Sequence, residues 1–308
     1  MEQKKRIVIT GITGIIGRQT AGVLNAAGYE VYGLSRSPTR DVKGLHEQIN
    51  VVQWGVDGDT SWHRVFEGAF AVINLAGENI ASGRWSKRRK ELVLQSRLDG
   101  IAMCRQAIDS VSEKPQLFVH GSAIGYYGIH PGLVPDENGM VGDGFLASVC
   151  REVEQAVHQT INTRIAILRT GIVLSAKAGA LPAITAPMRF GIGGYPGNGK
   201  QFLSWIHVHD AANAILHLLD YNKEVPVWNL TAPESVTMKE LVRLAAKLKN
   251  AKIVLPVPAP ALYLLNGKQM VDETLLASQQ VIPRALLDSG FNYSFPDLKS
   301  ALTDCFSG

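Results

Sequence analysis

The 308-residue chain has 46% hydrophobic and 19% charged residues and a formal net charge of +4. This is a globular composition, which excludes a disordered polymer, and with no long block of one sign it gives no basis for nucleic-acid binding. Cys104, Cys150 and Cys305 are odd in number and far apart, which argues against a disulfide framework and for a reducing, cytoplasmic setting.

The first apolar stretch, after Met1 to Arg6, is broken by glycines and threonines and does not read as a signal peptide. Arg6-Ile7-Val8-Ile9-Thr10 is short, β-branched and apolar, the pattern of a buried strand. Gly11-Ile12-Thr13-Gly14-Ile15-Ile16-Gly17 follows, and a helix is expected from Arg18 to Ala27, ended by Gly28. A glycine-rich turn between a strand and a helix lets the backbone approach a pyrophosphate, and the helix N-terminus presents unpaired N–H groups to it. The spacing is G-x-x-G-x-x-G rather than the commoner G-x-G-x-x-G.

Glu30 to Leu34 reads as the second strand, closed by Ser35 and Arg36. An acid about twenty residues past the glycines would grip the ribose 2′-hydroxyl of NAD. Here a hydroxyl and a guanidinium stand instead, and the fork of Arg36 suits a phosphate. The expected cofactor is therefore NADP(H).

Ile49 to Trp54 reads as a third strand, with Asp57 opening a turn. Phe70 to Leu75 is a fourth, and it runs into Ala76-Gly77-Glu78-Asn79, residues small enough at first for a cofactor to pass closely. The basic run Arg84 to Lys90 reads as the solvated start of a long helix through Leu94, Leu98, Ile101 and Ile108. Arg97 lies within it, and the pattern leaves open whether it points at the cofactor. Leu117 to His120 is a fifth strand, followed by Gly121-Ser122-Ala123-Ile124-Gly125-Tyr126-Tyr127-Gly128. A helix with Phe145, Val149, Val153 and Val157 on one face comes next, then a strand from Arg164 to Leu168. Such alternation predicts a doubly wound parallel sheet covered on both faces.

Beyond residue 170 the pattern changes. Gly191 to Gly199 reads as a loop, and Ser204 to His209 as strand-like, with Asp210 the N-cap of a helix from Ala211 to Leu219. Val227 to Leu230 is a further strand, and Thr237 to Glu240 has capping-box spacing at the head of a helix to Leu248. Pro256 to Pro260 is punctuated by prolines. No stretch reaches the roughly 18 apolar residues of a membrane span. The nearest, Ile165 to Pro187, is broken by Arg169, Lys177 and two prolines. His207-x-His209 with Asp210 lacks the further ligands of a metal centre, so no metal is expected. Cys150, beside an apolar face and without a histidine nearby, reads as inert.

These motifs, in this order, resemble those of the extended short-chain dehydrogenase/reductases. Within that group the chain is similar to the atypical "epimerase family" proteins that end in a domain of unknown function. The match rests on Gly11 to Gly17, Asn74 to Glu78, Arg84-Trp85, Ser96-Arg97, Gly125 to Gly128, Leu168 to Gly171, Trp205 to His207, and the tail from Ile282-Pro283-Arg284 through Phe295-Pro296. The resemblance implies a Rossmann domain over residues 1–170, with the strand near 227–230 interleaved. It implies a smaller mixed α/β substrate domain over 171–308, whose family-specific segment spans about 256–308. It also implies that Ser35 and Arg36 meet the 2′-phosphate and that Leu75, Ala76 and Arg97 line the cofactor. The cofactor set is then Gly11, Thr13, Gly14, Ile15, Ile16, Gly17, Ser35, Arg36, Leu75, Ala76, Gly77, Arg97, Gly121 and Ser122.

Active relatives use a serine, a tyrosine and a lysine four residues after the tyrosine. Ser122 matches the serine. The paired positions read Phe145 and Val149, or Leu146 and Cys150 with a shift of one. No tyrosine in the chain has a lysine four residues on. Ser122 and Tyr126 are left as acid/base candidates. The expected activity is NADP(H)-dependent oxidoreductase or epimerase-like chemistry on a small hydroxyl or carbonyl compound. The alternative is a non-catalytic NADP(H)-binding sensor or partner-binding protein. The sequence leaves the substrate and the oligomeric state open.

Overall fold

The chain, as a computed structural model, is described over residues 4–37, 45, 47–130, 132–161 and 163–307; the first three residues of the basic start fall outside this range. In chain order come β1 (Arg6–Thr10), α1 (Ile15–Ala26), β2 (Glu30–Ser35), β3 (Asn50–Gln53), β4 (Ala71–Asn74), α2 (Lys87–Ser110), β5 (Leu117–Ala123), α3 (Phe145–Thr160), β6 (Arg164–Thr170) and β7 (Ile172–Leu174). Then follow α4 (Ala180–Thr185), β8 (Ile192–Pro196), β9 (Phe202–Leu203), β10 (Trp205–His207), α5 (Val208–Asp220), β11 (Val227–Leu230), β12 (Val236–Thr237), α6 (Met238–Leu248) and β13 (Ile253–Val257). The C-terminal segment holds α7 (Ala259–Asn266), α8 (Lys268–Met270), α9 (Arg284–Asp288) and α10 (Leu298–Ser307).

Seven parallel strands form one sheet in the order β11-β6-β5-β4-β1-β2-β3. Alternate residues of each central strand feed opposite faces. Ile7 and Ile9 pack with Ala21 and Leu24 of α1 and Ala211, Ile215 and Leu218 of α5. Val8, Val72 and Phe118 pack on the other face with Ile101 and Cys104 of α2 and Val153 of α3. Both faces are covered, which is why these strands read as continuous apolar runs. The chain reverses direction across the sheet between β1 and β4, opening a crevice at their C-terminal ends, the position where such folds bind ligands.

A third cluster lies outside the sheet. It joins Leu174, Trp205, Leu241, Val242 and Leu302 from β7, β10, α6 and α10. Among the described residues no helix is long and apolar enough to cross a membrane.

Several expectations are corrected. The first helix begins at Ile15 rather than Arg18, because Gly14 in extended backbone serves as its N-cap. The stretch 191–199 is not a loop throughout. Residues 192–196 form β8, paired in parallel with β13, and a Cβ on Gly194 would stand 3.0 Å from a Val257 methyl of that partner strand. A partner about 60 residues away in sequence carries no local signal. The strand near 205 stops at His207, and α5 starts at Val208 with His207 as its N-cap. Asp210 therefore caps nothing in α5. Fully buried, it accepts hydrogen bonds from the backbone N–H groups of Ser294 (2.8 Å) and Phe295 (2.9 Å), fixing the C-terminal segment.

Candidate functional site

The glycine turn forms the floor of the crevice. Gly11 has φ +68°, and a Cβ there would stand 2.6 Å from the Leu75 carbonyl oxygen. A Cβ on Gly17 would overlap the Gly11 carbonyl oxygen. These contacts bring the turn flush against the end of β4, at Leu75 and Ala76. No side chain caps the first turn of α1, and no acid lies in it. Thr13 and Gly14 head this turn and Ile15 and Ile16 open the helix; the Gly14 N–H closes the turn on the Gly11 carbonyl at 2.9 Å, and the helix N-terminus beyond it, with its dipole, forms an anion cradle. The residues present fit a dinucleotide pyrophosphate.

Ser35 and Arg36 stand at the end of β2. The Ser35 hydroxyl is buried and accepts from the Ser37 N–H at 3.2 Å. Arg36 is exposed, and its carbonyl accepts from the Gln53 side chain at 3.3 Å, which ties it to β3. Arg36 thus follows the end of β2, the strand beside β1 and its glycine turn.

Beneath the turn runs a buried polar chain. Thr10 Oγ1 donates to Asn74 Oδ1 (2.6 Å) and accepts from the Ala76 N–H (3.2 Å), holding the start of the 76–78 loop. With Asn74 Oδ1 so engaged, its Nδ2 faces His120 Nδ1 at 3.2 Å and donates to it. His120 is fully buried, its proton sits on Nε2, and that atom has no partner. Burial, with Arg97 nearby, pushes its pKa down to about 3.

Arg97 extends along the loop that follows β4. Its Nη1 donates to the carbonyls of Glu78 (3.1 Å) and Val93 (2.7 Å), and its guanidinium packs against Gly77. Burial lowers its pKa. The basic run is less solvated than its composition suggests. Arg89 pairs with Glu78 at 2.9 Å, and Arg84 and Lys90 reach Leu264 and Gln269 of the C-terminal segment.

β5 extends through Ala123, so Gly121 and Ser122 are strand residues rather than loop. Gly121 lies against Leu75. Ser122 Oγ donates to Glu154 Oε1 at 2.7 Å. Glu154, on α3, forms a buried forked pair with Arg169 of β6, with Nε to Oε1 at 3.1 Å and Nη2 to Oε2 at 2.8 Å. Burial alone would lower the Arg169 guanidinium, but the Glu154 carboxylate holds it above its ordinary value. The same guanidinium lies 3.4 Å from the Tyr126 ring centre and donates to Tyr127 Oη at 3.0 Å. Tyr127 in turn donates to Asn229 Oδ1 at 2.7 Å, and burial raises its pKa to about 12.

The two registers read for α3 face different ways. Val149 belongs to the core beneath the sheet, and Phe145 packs edge-on against Trp85. The residues of α3 that meet Gly125 are Leu146 and Cys150, and Glu154 one turn further on reaches Ser122. Cys150 is buried, its thiol donates to the Ala123 carbonyl at 3.7 Å, and burial raises its pKa. Tyr126 serves as a flat surface for Arg169. Glu154, Thr10, Asn74 and His120 were missed as site residues. Thr10 and Asn74 end their strands beside recognised motifs, His120 lies inside β5, and Glu154 shares a face of α3 with Leu146 and Cys150, the one periodic signal that could have marked it.

His207 and His209 do not share a strand face, because His209 is helical. His207 Nδ1 accepts from the His209 N–H (3.3 Å), leaving Nε2–H to donate to Asp304 at 3.2 Å. Among the described residues no three or more His, Cys, Asp or Glu side chains form a metal cluster.

Comparison with known proteins adds three findings. A family model described as "NAD dependent epimerase/dehydratase family" matches residues 7–231, and a domain of unknown function (DUF1731) matches residues 257–305. The chain is 31% identical over 309 residues to the human epimerase family protein SDR39U1, covering 97% of this chain and 99% of that protein. It is 33% identical over 300 residues to the Bacillus subtilis epimerase family protein YfhF, covering 96% of each. The crystal structure of human SDR39U1 (isoform 2) with NADPH superposes with a TM-score of 0.87 at 31% identity, covering 98% of this chain and 99% of that one. A UDP-glucuronic acid 4-epimerase from Bacillus cereus, at 16% identity and a TM-score of 0.78, shares the fold.

Proposed function

Because the chain belongs to the NAD dependent epimerase/dehydratase family, we propose that it is an NADP(H)-dependent oxidoreductase or epimerase-like enzyme acting on a small hydroxyl or carbonyl compound. The observation that carries this reading is the glycine cradle, packed so tightly against Leu75 and against itself that Gly11 and Gly17 have no room for a side chain. Gly11 to Gly17 hold the diphosphate, Ser35 and Arg36 the 2′-phosphate, and Leu75, Ala76, Gly77, Arg97, Gly121 and Ser122 line the remainder. That human SDR39U1 was crystallised with NADPH supports the choice of cofactor.

NADP(H) supplies the hydride. The protein positions the substrate oxygen and handles its proton. Ser122 donates its hydroxyl hydrogen bond to Glu154, so the lone pairs of Oγ are left to accept from a substrate hydroxyl. Leu146 and Cys150, where active relatives carry a proton-transferring pair, have no proton chemistry near pH 7. A water held by Ser122 completes the relay. The buried Glu154–Arg169 pair fixes Ser122 rather than exchanging protons itself.

Fluorescence titration with NADPH and NADH tests the cofactor. Arg36→Ala is expected to weaken NADPH binding at least tenfold and leave NADH nearly unchanged. Equal losses remove Arg36 from the 2′-phosphate, and no affinity for either dinucleotide overturns the proposal. Oxidation of bound NADPH by a carbonyl panel, lost in Ser122→Ala, supports an enzyme. Tight binding without turnover favours the second reading, a sensor, to which Leu146 and Cys150 already point.

A further inference from the structure

Most cations beside the crevice are spent on partners within the chain. Arg169 turns Nε and Nη2 to the two oxygens of Glu154, at 3.1 and 2.8 Å. Arg89 pairs with Glu78 at 2.9 Å. Arg97 meets no carboxylate at ion-pair distance among the described residues. A guanidinium carries N–H donors on all three of its nitrogens. Arg97 uses those of Nη1 on the Glu78 and Val93 carbonyls, at 3.1 and 2.7 Å. Nε and Nη2 form the same two-pronged edge that Arg169 gives to a carboxylate. Here they find no acceptor among the described residues, yet neither atom is sealed inside the protein. The residue is half-buried, and burial lowers its pKa, so this is a desolvated charge with an open fork. Leaving such a group unpaired is costly, which marks it as a place for a ligand's oxygens.

The sheet order says which oxygens these are. Ser35 and Arg36 stand at the end of β2, the glycine turn follows β1, Leu75 to Gly77 follow β4, and Ser122 lies on β5, and these strands are successive neighbours. A dinucleotide with its 2′-phosphate at β2 and its diphosphate at β1 has its nicotinamide half over the ends of β4 and β5. Arg97 stands on that side. A Cβ on Gly77 would lie 3.1 Å from its Cζ and 3.4 Å from its Nε. After burial, its charge is what holds the pKa of His120, on β5, down. It also acts on Cys150, on α3, whose thiol burial keeps protonated. Nothing nearby cancels this charge. His120 is neutral at pH 7, the Glu78 carboxylate is taken by Arg89, and Glu154 is taken by Arg169.

Resting on the reading of the crevice as an NADP(H) site, we infer that Arg97 tells the reduced cofactor from the oxidised one: its open fork seats the ribose of the nicotinamide half, and its uncompensated charge repels the cationic ring of NADP+. The ring of NADPH is neutral and escapes that repulsion, so NADPH is the form retained. Two like charges a few ångströms apart in a half-buried site are enough for a preference of about tenfold or more. A reductase kept charged with NADPH and a sensor of the balance between NADPH and NADP+ both need this discrimination.

The test uses the full chain and calorimetric titration with NADPH, NADP+, 2′-phospho-ADP-ribose, which keeps the far ribose without the ring, and adenosine 2′,5′-bisphosphate, which has neither. The wild type is expected to bind NADPH about tenfold or more tightly than NADP+. Arg97→Met keeps an apolar stem over Gly77. It should bring the two dinucleotides within about twofold, weaken 2′-phospho-ADP-ribose about tenfold and leave the bisphosphate unchanged. Arg97→Lys restores the charge without the fork, so the preference for NADPH returns while 2′-phospho-ADP-ribose stays weak. The wild-type comparison needs no variant, so the inference stays exposed even if Arg97→Met does not fold. Equal wild-type affinity for NADPH and NADP+ overturns it, as does a preference that survives Arg97→Met. So does an equal loss for the bisphosphate, which would mean that Arg97 only holds the 76–79 loop in shape. If the wild type binds neither dinucleotide nor the bisphosphate, the cofactor reading fails instead, which separates the two.

Discussion

Acidifying the protein from pH 7 toward pH 4 places a load on the buried chain Thr10–Asn74–His120. In the folded protein His120 is fully buried and its pKa is pushed down from the ordinary 6.5 to about 3. Below pH 6.5 the unfolded chain takes up a proton that the native state refuses, so stability falls as pH falls. The contribution is fully present above about pH 6.5 and is lost progressively down to about pH 3. At about 1.4 kcal/mol per pH unit, the gap between 6.5 and 3 corresponds to about 5 kcal/mol. That is comparable to the whole stability of many domains. The assay is urea unfolding at half-unit steps from pH 7.5 to 4, on the wild type and on His120→Asn, whose amide oxygen can still accept from Asn74. The variant is expected to be less stable by about 1–3 kcal/mol at pH 7, from the smaller side chain. Its acid limb should be shallower by about 1.4 kcal/mol per pH unit. Carboxylates titrate alike in both and cancel. Parallel acid limbs would refute the reasoning, as would an NMR resonance of His120 that titrates near pH 6.5.

Glu154→Ala leaves the Arg169 guanidinium buried without its partner and is expected to lose about 3–5 kcal/mol, while Glu154→Leu with Arg169→Met recovers most of it; urea midpoints decide, and strictly additive losses would count against a coupled pair. Gly17→Ala forces its new Cβ into the Gly11 carbonyl, so NADPH affinity by titration should fall at least tenfold; unchanged affinity would mean the turn does not hold the diphosphate. His207, whose Nδ1 accepts a backbone N–H, has its pKa lowered by burial. Its contribution is likewise complete above pH 6.5 and declines below it, so His207→Gln should show a shallower acid limb by circular dichroism.

The sheet was legible because each strand is its own signal. Ile7 to Ile9, Ala71 to Ile73 and Leu117 to Val119 are buried on both faces and read as unbroken apolar runs. The glycine turn was legible because its constraint is local: only glycine fits beside Leu75 and beside Gly11. What failed were features set by distant partners. β8 looked like a loop because its strand partner, β13, lies far downstream. Asp210 looked like a cap because its true partners, the amides of Ser294 and Phe295, lie far downstream. The register of α3 stayed open between Phe145 with Val149 and Leu146 with Cys150, since neither pair carries the tyrosine and lysine that would fix it. Glu154 gave no sign of a partner, because Arg169 comes to it from β6.

The last strand of the main sheet has a bearing on how the molecule is made. β6 gains its outer neighbour only when the chain returns as β11, after wandering through residues 171–226. Until then the nascent sheet ends in a raw border of amides and carbonyls ready to zip onto any passing strand. Synthesis must proceed past Leu230 before that border is sealed, so the nucleotide-binding half is not a module that can be severed at residue 170 and kept soluble. Its completion depends on chain that first detours through the other half.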